Sequence, residues 1–287
     1  MASVLIAGCG YVGIALGTRL VEEGHVVWGL RRRIGSLPAS IGPIKADLTV
    51  PETLRAFPAA LEFVFYTAAA DRLDDDAYRA IYVDGLRNLL DALDSHRPRV
   101  RRVFFTSSTA VYAQSFGEWV DEASPTEPEG FSGRRLLEGE RLLRRSGFPS
   151  TVLRLGGIYG PGRTRLLESA RQGIAVSTEG PPVYANRIHR DDCAGALHHL
   201  MMLENPDHLY IGVDHEPADE YTVYHWLAVQ LGIVPSGVER PSGPVMRQAR
   251  SNKRCHNDKL VASGYVFRFP TFRDGYLPLL ARQEPGM

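Results

Sequence analysis

The stretch Val4-Leu-Ile-Ala-Gly8-Cys-Gly10-Tyr-Val-Gly13 sets glycines at the spacing G-x-G-x-x-G, directly after an apolar run and directly before an amphipathic one. That order predicts a strand, a tight turn and a helix. The first glycine permits the turn, the second lets backbone approach a pyrophosphate, and the third lets helix and strand pack closely. Tyr11 and Val12 then fall in the first helical turn, whose unpaired N–H groups and positive dipole end favour phosphate. The spacing alone is weak evidence. With a strand before it and a helix behind it, it becomes a specific signal for a bound dinucleotide.

Outward from this loop, strand-like runs at 4–7, 26–30, 44–46, 63–66, 103–107 and 151–155 alternate with helical patterns at 12–23, 78–94 and 132–145. Such alternation predicts an α/β fold, a doubly wound parallel sheet of the Rossmann type. The helix at 78–94 is expected to end at the His96-Arg97-Pro98 break. Past Gly160-Pro-Gly162 the chain is turn-rich (Gly180-Pro-Pro182, Pro235-Ser-Gly237, Pro241-Ser-Gly-Pro244), with shorter helices at 191–203 and 222–231 and one further strand at 209–213. The expected division is a dinucleotide-binding domain over 1–162, to which 183–213 returns. The remainder of 163–287 forms a smaller, mainly substrate-binding lobe over the carboxyl ends of the strands, where open α/β sheets bind ligands.

The second strand runs into Gly29-Leu-Arg31-Arg-Arg33. Sites for NAD place a carboxylate there, about 20 residues beyond the loop, on the ribose 2′-hydroxyl. Here guanidinium groups replace it, with Arg31 and Arg32 foremost, and a guanidinium suits a 2′-phosphate through bidentate, charge-assisted bonds. NADP(H) is therefore the expected cofactor, with NAD(H) the alternative.

Lysine plus arginine and aspartate plus glutamate number 33 each in 287 residues. A zero net charge supplies no field for nucleic acid or an anionic membrane, so phosphate recognition has to be local. Three scattered cysteines, Cys9, Cys193 and Cys255, suit neither a metal cluster nor a disulfide framework. The chain opens directly on a strand without a basic leader, and no apolar run reaches the roughly 20 residues of a membrane span. A cytoplasmic protein acting on a small molecule is expected.

Further motifs follow in order: Asp47 with Leu48 after the third strand, Ala68-Ala69-Ala70 after the fourth, Ser107-Ser108-Thr-Ala-Val-Tyr112 after the fifth, Arg154-Leu-Gly-Gly-Ile-Tyr159-Gly-Pro-Gly162, and Asn186-Arg-Ile-His189-Arg-Asp-Asp192. Together with the glycine loop they resemble the extended and atypical short-chain dehydrogenase/reductases, the NAD-dependent epimerase/dehydratase family, almost end to end. The resemblance implies that Asp47 faces the adenine and that Ser108 hydrogen-bonds the substrate oxygen. It also implies a tyrosine and lysine in a Y-x-x-x-K helix for proton transfer, the ammonium lowering the phenol from its ordinary value near 10.

No Y-x-x-x-K occurs in the chain. The corresponding helix sets either Phe131 and Arg135 at those positions, or Ser132 and Leu136 with the family's downstream glutamate kept as Glu140. The family's asparagine in the helix after the fourth strand is matched to Asp84. These departures, and the stretch 252–276, resemble the atypical subgroup. Ser108, Asp84 and Tyr112 stand as the catalytic candidates. Arg163, Arg165, Asn186, Lys253, Arg254 and Asn257 are candidate polar contacts for an oxygen-rich, nucleotide-sugar-like substrate. His189 and Asp192 read as structural, with the aspartate near a helix start, and no metal site is expected. The resemblance implies an oxidoreductase of the epimerase/dehydratase type and a homodimer across helices 78–94 and 132–145. The missing tyrosine and lysine favour the alternative, a non-catalytic NADP(H)-binding sensor or scaffold.

Overall fold

The computed structural model describes residues 1–55, 57–96, 100–173, 182–233 and 252–281. In chain order these form β1 (Ser3–Ala7), α1 (Tyr11–Glu22), β2 (Val26–Arg31), β3 (Gly42–Lys45), β4 (Phe63–Tyr66), α2 (Asp75–Arg79), a π-helical segment (Ala80–Gly85), α3 (Leu86–His96), β5 (Arg102–Ser108), β6 (Glu118–Val120), α4 (Phe131–Arg145), β7 (Ser150–Leu155) and β8 (Gly157–Tyr159). They continue with α5 (Arg165–Arg171), β9 (Tyr184–Ala185), β10 (Arg187–His189), α6 (Arg190–Met202), β11 (Leu209–Gly212), β12 (Ala218–Asp219), α7 (Glu220–Gln230), β13 (Lys253–Cys255), α8 (Asp258–Ala262) and α9 (Phe272–Ala281).

Seven strands make one sheet in the order β11-β7-β5-β4-β1-β2-β3, and every pairing within it is parallel. Side chains alternate across a strand, so the two faces draw on different residues. Val4, Ile6, Phe63, Phe65 and Phe104 pack with Leu16 and Leu20 of α1 and Leu197 and Leu200 of α6. Leu5, Val64, Tyr66, Val103 and Phe105 pack with Leu86, Leu89 and Leu93 of α3 and Leu136 and Leu143 of α4. A sheet covered on both faces needs near-continuous apolar strands, which is what these short runs supply. The fold is the doubly wound Rossmann type. A third apolar cluster joins Leu167 of α5, Val223 and Leu227 of α7, and Phe272 and Tyr276 of α9.

The helix expected over 78–94 is reached earlier and is interrupted. Asp74 caps α2, accepting the Ala77 N–H at 2.8 Å, and the chain then widens into the π segment. The buried Tyr66 phenol donates to the Ile81 carbonyl at 2.5 Å. In an α-helix that carbonyl accepts the N–H of the residue four positions on, here Gly85. The phenol contact falls within the segment whose turn has the i→i+5 pattern. The strands β6, β8, β9, β10, β12 and β13 carry two or three residues each, too few to show a sequence period. The turns expected at 180–182, 235–237 and 241–244, and the break at 97–98, fall partly or wholly outside the described residues. No helix among the described residues is long and apolar enough to cross a membrane.

One buried polar group ties α4 to the sheet. Glu140 accepts Arg154 Nε at 3.0 Å, Arg154 Nη2 at 2.7 Å and the Ser107 hydroxyl at 2.6 Å. Arg154 Nη1 donates to the Tyr112 phenol at 2.8 Å, and the phenol donates to the Asp121 carbonyl at 2.8 Å. Glu140 and Arg154 are both buried. Breaking such a pair strands an ion in apolar surroundings, whereas removing both charges is far milder. Arg154→Met is therefore expected to lower stability by about 3–5 kcal/mol in urea denaturation, with partial recovery when combined with Glu140→Leu. A neutral single variant contradicts this account.

Candidate active site

The loop expected from the glycine spacing lies at the point where the sheet order reverses, because β1 is flanked by β2 and β4. Gly8 has φ +78°, and a Cβ there would lie 2.3 Å from the Ala68 Cα. A Cβ on Gly13 would meet Thr67 Oγ1 at 2.8 Å and Ile6 at 2.9 Å. Both glycines answer to crowding within the protein. Gly10 does not: the nearest atom to a Cβ there is the Gly8 carbonyl oxygen at 3.7 Å, yet Gly10 lines the cleft. It also occupies the N-cap of α1, with no side-chain cap and no acidic residue in the first turn. The leading N–H groups of α1 are thus left for an external acceptor. These features fit the diphosphate of a dinucleotide.

The cleft has a volume of about 530 Å³. At one end it is lined by Arg31, Arg32, Arg33, Asp47 and Leu48, and along its floor by Gly8, Gly10, Tyr11, Val12, Ala68 and Ala69. Arg32 pairs with Asp71 at 2.5 Å, both half exposed. The Asp47 carboxylate accepts both the N–H and the hydroxyl of Thr49, at 2.9 and 2.8 Å. Beyond the loop, the Arg163 guanidinium lies 4.4 Å from the Tyr11 ring centre and also lines the cleft.

Ser108 ends β5 and lines the cleft. Its oxygen accepts the Ala110 N–H at 3.2 Å, which leaves the hydroxyl proton free to donate. The opposite wall decides between the two registers of α4. Ser132 and Leu136 line the cleft, whereas the Phe131 ring packs edge-on against Tyr78 at 5.3 Å. Arg135 forms a two-pronged pair with Asp75 at 2.7 and 2.9 Å. Tyr78, Ile81 and Tyr82 complete this wall. The sequence reading did not single them out, since a π segment is invisible in a helical period.

Two expected catalytic groups do not line the cleft. Asp84 lies between Arg79 at 3.7 Å and Arg87 at 3.2 Å. Tyr112 is buried, and its phenol is used by Arg154 and the Asp121 carbonyl. Gly13 packs beneath the loop, and Ala70, expected beside Ala68 and Ala69, does not line the cleft. Of the six polar candidates, Arg163 alone lines the cleft. Asn186 clasps β13 through the Lys253 carbonyl and the Cys255 N–H. Asn257 donates to the Val213 carbonyl, the buried Lys253 donates to the Tyr112 carbonyl, and Arg254 is held between Trp119 and Tyr184. Arg165 opens α5. His189, not the aspartate, caps α6. Asp192 instead binds the Tyr265 phenol and the Arg268 and Phe269 N–H groups.

Residues 4–212 match the model of the NAD dependent epimerase/dehydratase family. The chain belongs to this family. Its solved relatives include a Methylobacillus flagellatus protein named as a candidate NAD-dependent epimerase/dehydratase, with 39% identity, 98% of each chain covered and a TM-score of 0.82. Escherichia coli protein YeeZ is 29% identical over 246 residues, covering 82% of this chain and 86% of that protein. UDP-glucose 4-epimerase of Thermus thermophilus, solved with NAD, superposes with a TM-score of 0.80 over 98% of each chain at 21% identity; at that identity the likeness speaks for the fold.

In a family member with this loop, Gly8→Ala forces a side chain into a left-handed backbone and into Ala68. The expected cost is about 2 kcal/mol or more of stability, with dinucleotide affinity weakened at least roughly tenfold. Thermal unfolding and calorimetric titration read both, and wild-type values in both assays contradict the geometry.

Proposed function

We propose that this protein is an NADP(H)-dependent oxidoreductase that interconverts a hydroxyl and a carbonyl group on a small, oxygen-bearing molecule, with nucleotide sugars among the candidates. The observation that carries the reading is one cleft holding the glycine loop, the arginines that end β2 and the hydroxyl that ends β5. Among the described residues neither Arg31 nor Arg33 makes an ion pair. The Arg32–Asp71 pair is half exposed, and such pairs contribute about 1 kcal/mol or less. A doubly charged 2′-phosphate displaces that carboxylate at little cost. Gly8, Gly10 and Gly13 shape the diphosphate seat, Tyr11 and Val12 lead the helix above it, and Asp47, Leu48 and Ala68–Ala70 flank the nucleoside parts.

A nicotinamide bound here supplies the hydride donor or acceptor. The protein supplies the rest. Ser108, its oxygen engaged by the Ala110 N–H, donates its proton in a hydrogen bond to the reacting oxygen. Ser132 is a poor proton carrier because an aliphatic hydroxyl titrates too high.

The absence of a phenol and an ammonium on the cleft face of α4 favours a second reading, a non-catalytic NADP(H) sensor or scaffold. Incubation with NADPH and a panel of keto-sugars, aldehydes and ketones, followed at the nicotinamide absorbance, separates the two. Silence across the panel despite tight NADPH binding selects the sensor.

Replacing Arg31 and Arg32 together by alanine is expected to weaken NADP+ binding roughly ten- to hundredfold, the range of charge-assisted hydrogen bonds. NAD+ affinity should stay within about threefold. Calorimetric titration checks both, and tighter binding of NAD+ than NADP+ by the unaltered protein ends the NADP(H) assignment.

A further inference from the structure

Tyr82 lines the cleft from the π segment, as Ser132 does from α4. Ser108 lines the same cleft. Ala70 follows the end of β4 and Ser108 ends β5, and these strands are paired in register, Tyr66 opposite Phe105. The π segment that follows β4 and the end of β5 both reach the cleft, which brings Tyr82 and Ser108 into one lining. The ring is fixed by Tyr78, at 5.1 Å between centres, and stands edge-on to Phe105 at 6.5 Å. Behind it α4 comes so close that a Cβ on Gly139 would lie 2.4 Å from the Tyr82 carbonyl oxygen. Of the other phenols near the site, Tyr112 is committed to Arg154 and the Asp121 carbonyl, the Tyr11 ring lies beneath Arg163, and the Tyr78 ring packs against Phe131.

We propose that Tyr82 is the group that moves the proton in this site. The inference rests on the oxidoreductase reading above. In reduction, Tyr82 Oη gives its proton to the carbonyl oxygen held by Ser108, while the carbonyl carbon takes a hydride from the reduced nicotinamide cofactor. The C=O π bond opens, one C–H and one O–H bond form, the carbonyl is reduced to an alcohol and the cofactor is oxidised. The phenolate recovers its proton from water. In oxidation the phenolate takes the alcohol proton.

The pH dependence has a definite sign. Burial pushes the Tyr82 phenol up to about 12, against a smaller opposing pull from Arg163. The proton donor is thus present throughout the neutral range, and reduction does not wait on this group. Oxidation needs the phenolate, so its rate climbs about tenfold per pH unit below that value.

The test is Tyr82→Phe in the full chain, assayed with NADPH and the carbonyl panel and, in reverse, with NADP+ and the corresponding alcohol. For the best carbonyl substrate kcat is expected to fall about a hundred- to thousandfold, with KM within about threefold. The oxidation slope with pH should vanish. NADPH affinity, read by fluorescence titration, should stay within about twofold, and alkaline ultraviolet difference titration of the folded protein should lose one phenol. A variant that keeps kcat within about threefold, or keeps the pH slope, overturns the proposal and leaves the oxidoreductase reading standing. An unaltered protein that binds NADPH but reduces no carbonyl compound overturns both. If the variant does not fold by circular dichroism, the oxidation profile of the unaltered protein decides: a flat profile overturns the assignment, a rising one supports it.

Discussion

The turn after β1 passes so close to the end of β4 that one methyl group does not fit between them. Gly8 stands against Ala68, and its N–H and that of Cys9 both donate to the Leu30 carbonyl at the end of β2, at 2.9 and 3.1 Å. The loop is therefore tied to both strands that flank β1, across the place where the sheet order reverses. From that fixed point α1 can start in one direction only, over the crevice, and its leading N–H groups reach the cleft uncapped. An uncapped helix start costs stability. The arrangement is reasonable where a bound anion supplies the missing acceptor, and the same few ångströms define both the fold and the ligand seat.

The opposite wall depends on a second constraint, the roll of α4 about its axis. Glu140 is anchored in the sheet by Arg154 and Ser107. Positions four apart share a helical face, so Leu136 and Ser132 follow Glu140 round to the sheet and line the cleft. Phe131 and Arg135 lie about 100° away and meet Tyr78 and Asp75 of α2 instead. The buried ion pair is costly to desolvate, but the further hydrogen bonds from Ser107 and to Tyr112 satisfy its members. The pair sets which residues of α4 a ligand meets. Tyr112 is consumed as part of this support, which explains why a phenol so near the strand crest stays out of the cleft.

How far the sequence speaks follows from what each element rests on. The glycine loop was legible because its residues answer to backbone conformation and close approach, which only glycine meets. The sheet was legible because strands buried on both faces have to be apolar throughout. The register of α4 was partly legible: Glu140, eight positions beyond Ser132, was the available signal, but its partner Arg154 lies on another element. The π segment left no trace. The Tyr66 phenol, distant in sequence, donates to the Ile81 carbonyl within it, and the surrounding apolar spacing still reads as one helix. Asp84 therefore drew attention while Tyr82 did not, since widening the turn decides which side chain enters the cleft. His189 capping α6 was likewise hidden, because an aspartate nearby reads as the better cap.

Charge placement completes the picture of a neutral chain that recognises an anion. With no net charge the protein exerts little long-range pull, and its cations act at contact range. Arg31, Arg32 and Arg33 line one end of the cleft, and Arg163 stands over Tyr11 beside the loop. Between them lie backbone N–H groups, small alanines and hydroxyls. Arg163 follows the Gly160-Pro-Gly162 turn, whereas Tyr11 belongs to α1, so their stacking joins the two parts of the chain where the phosphates are expected. The hydroxyls of Ser108, Ser132 and Tyr82 belong to residues that line the same cleft.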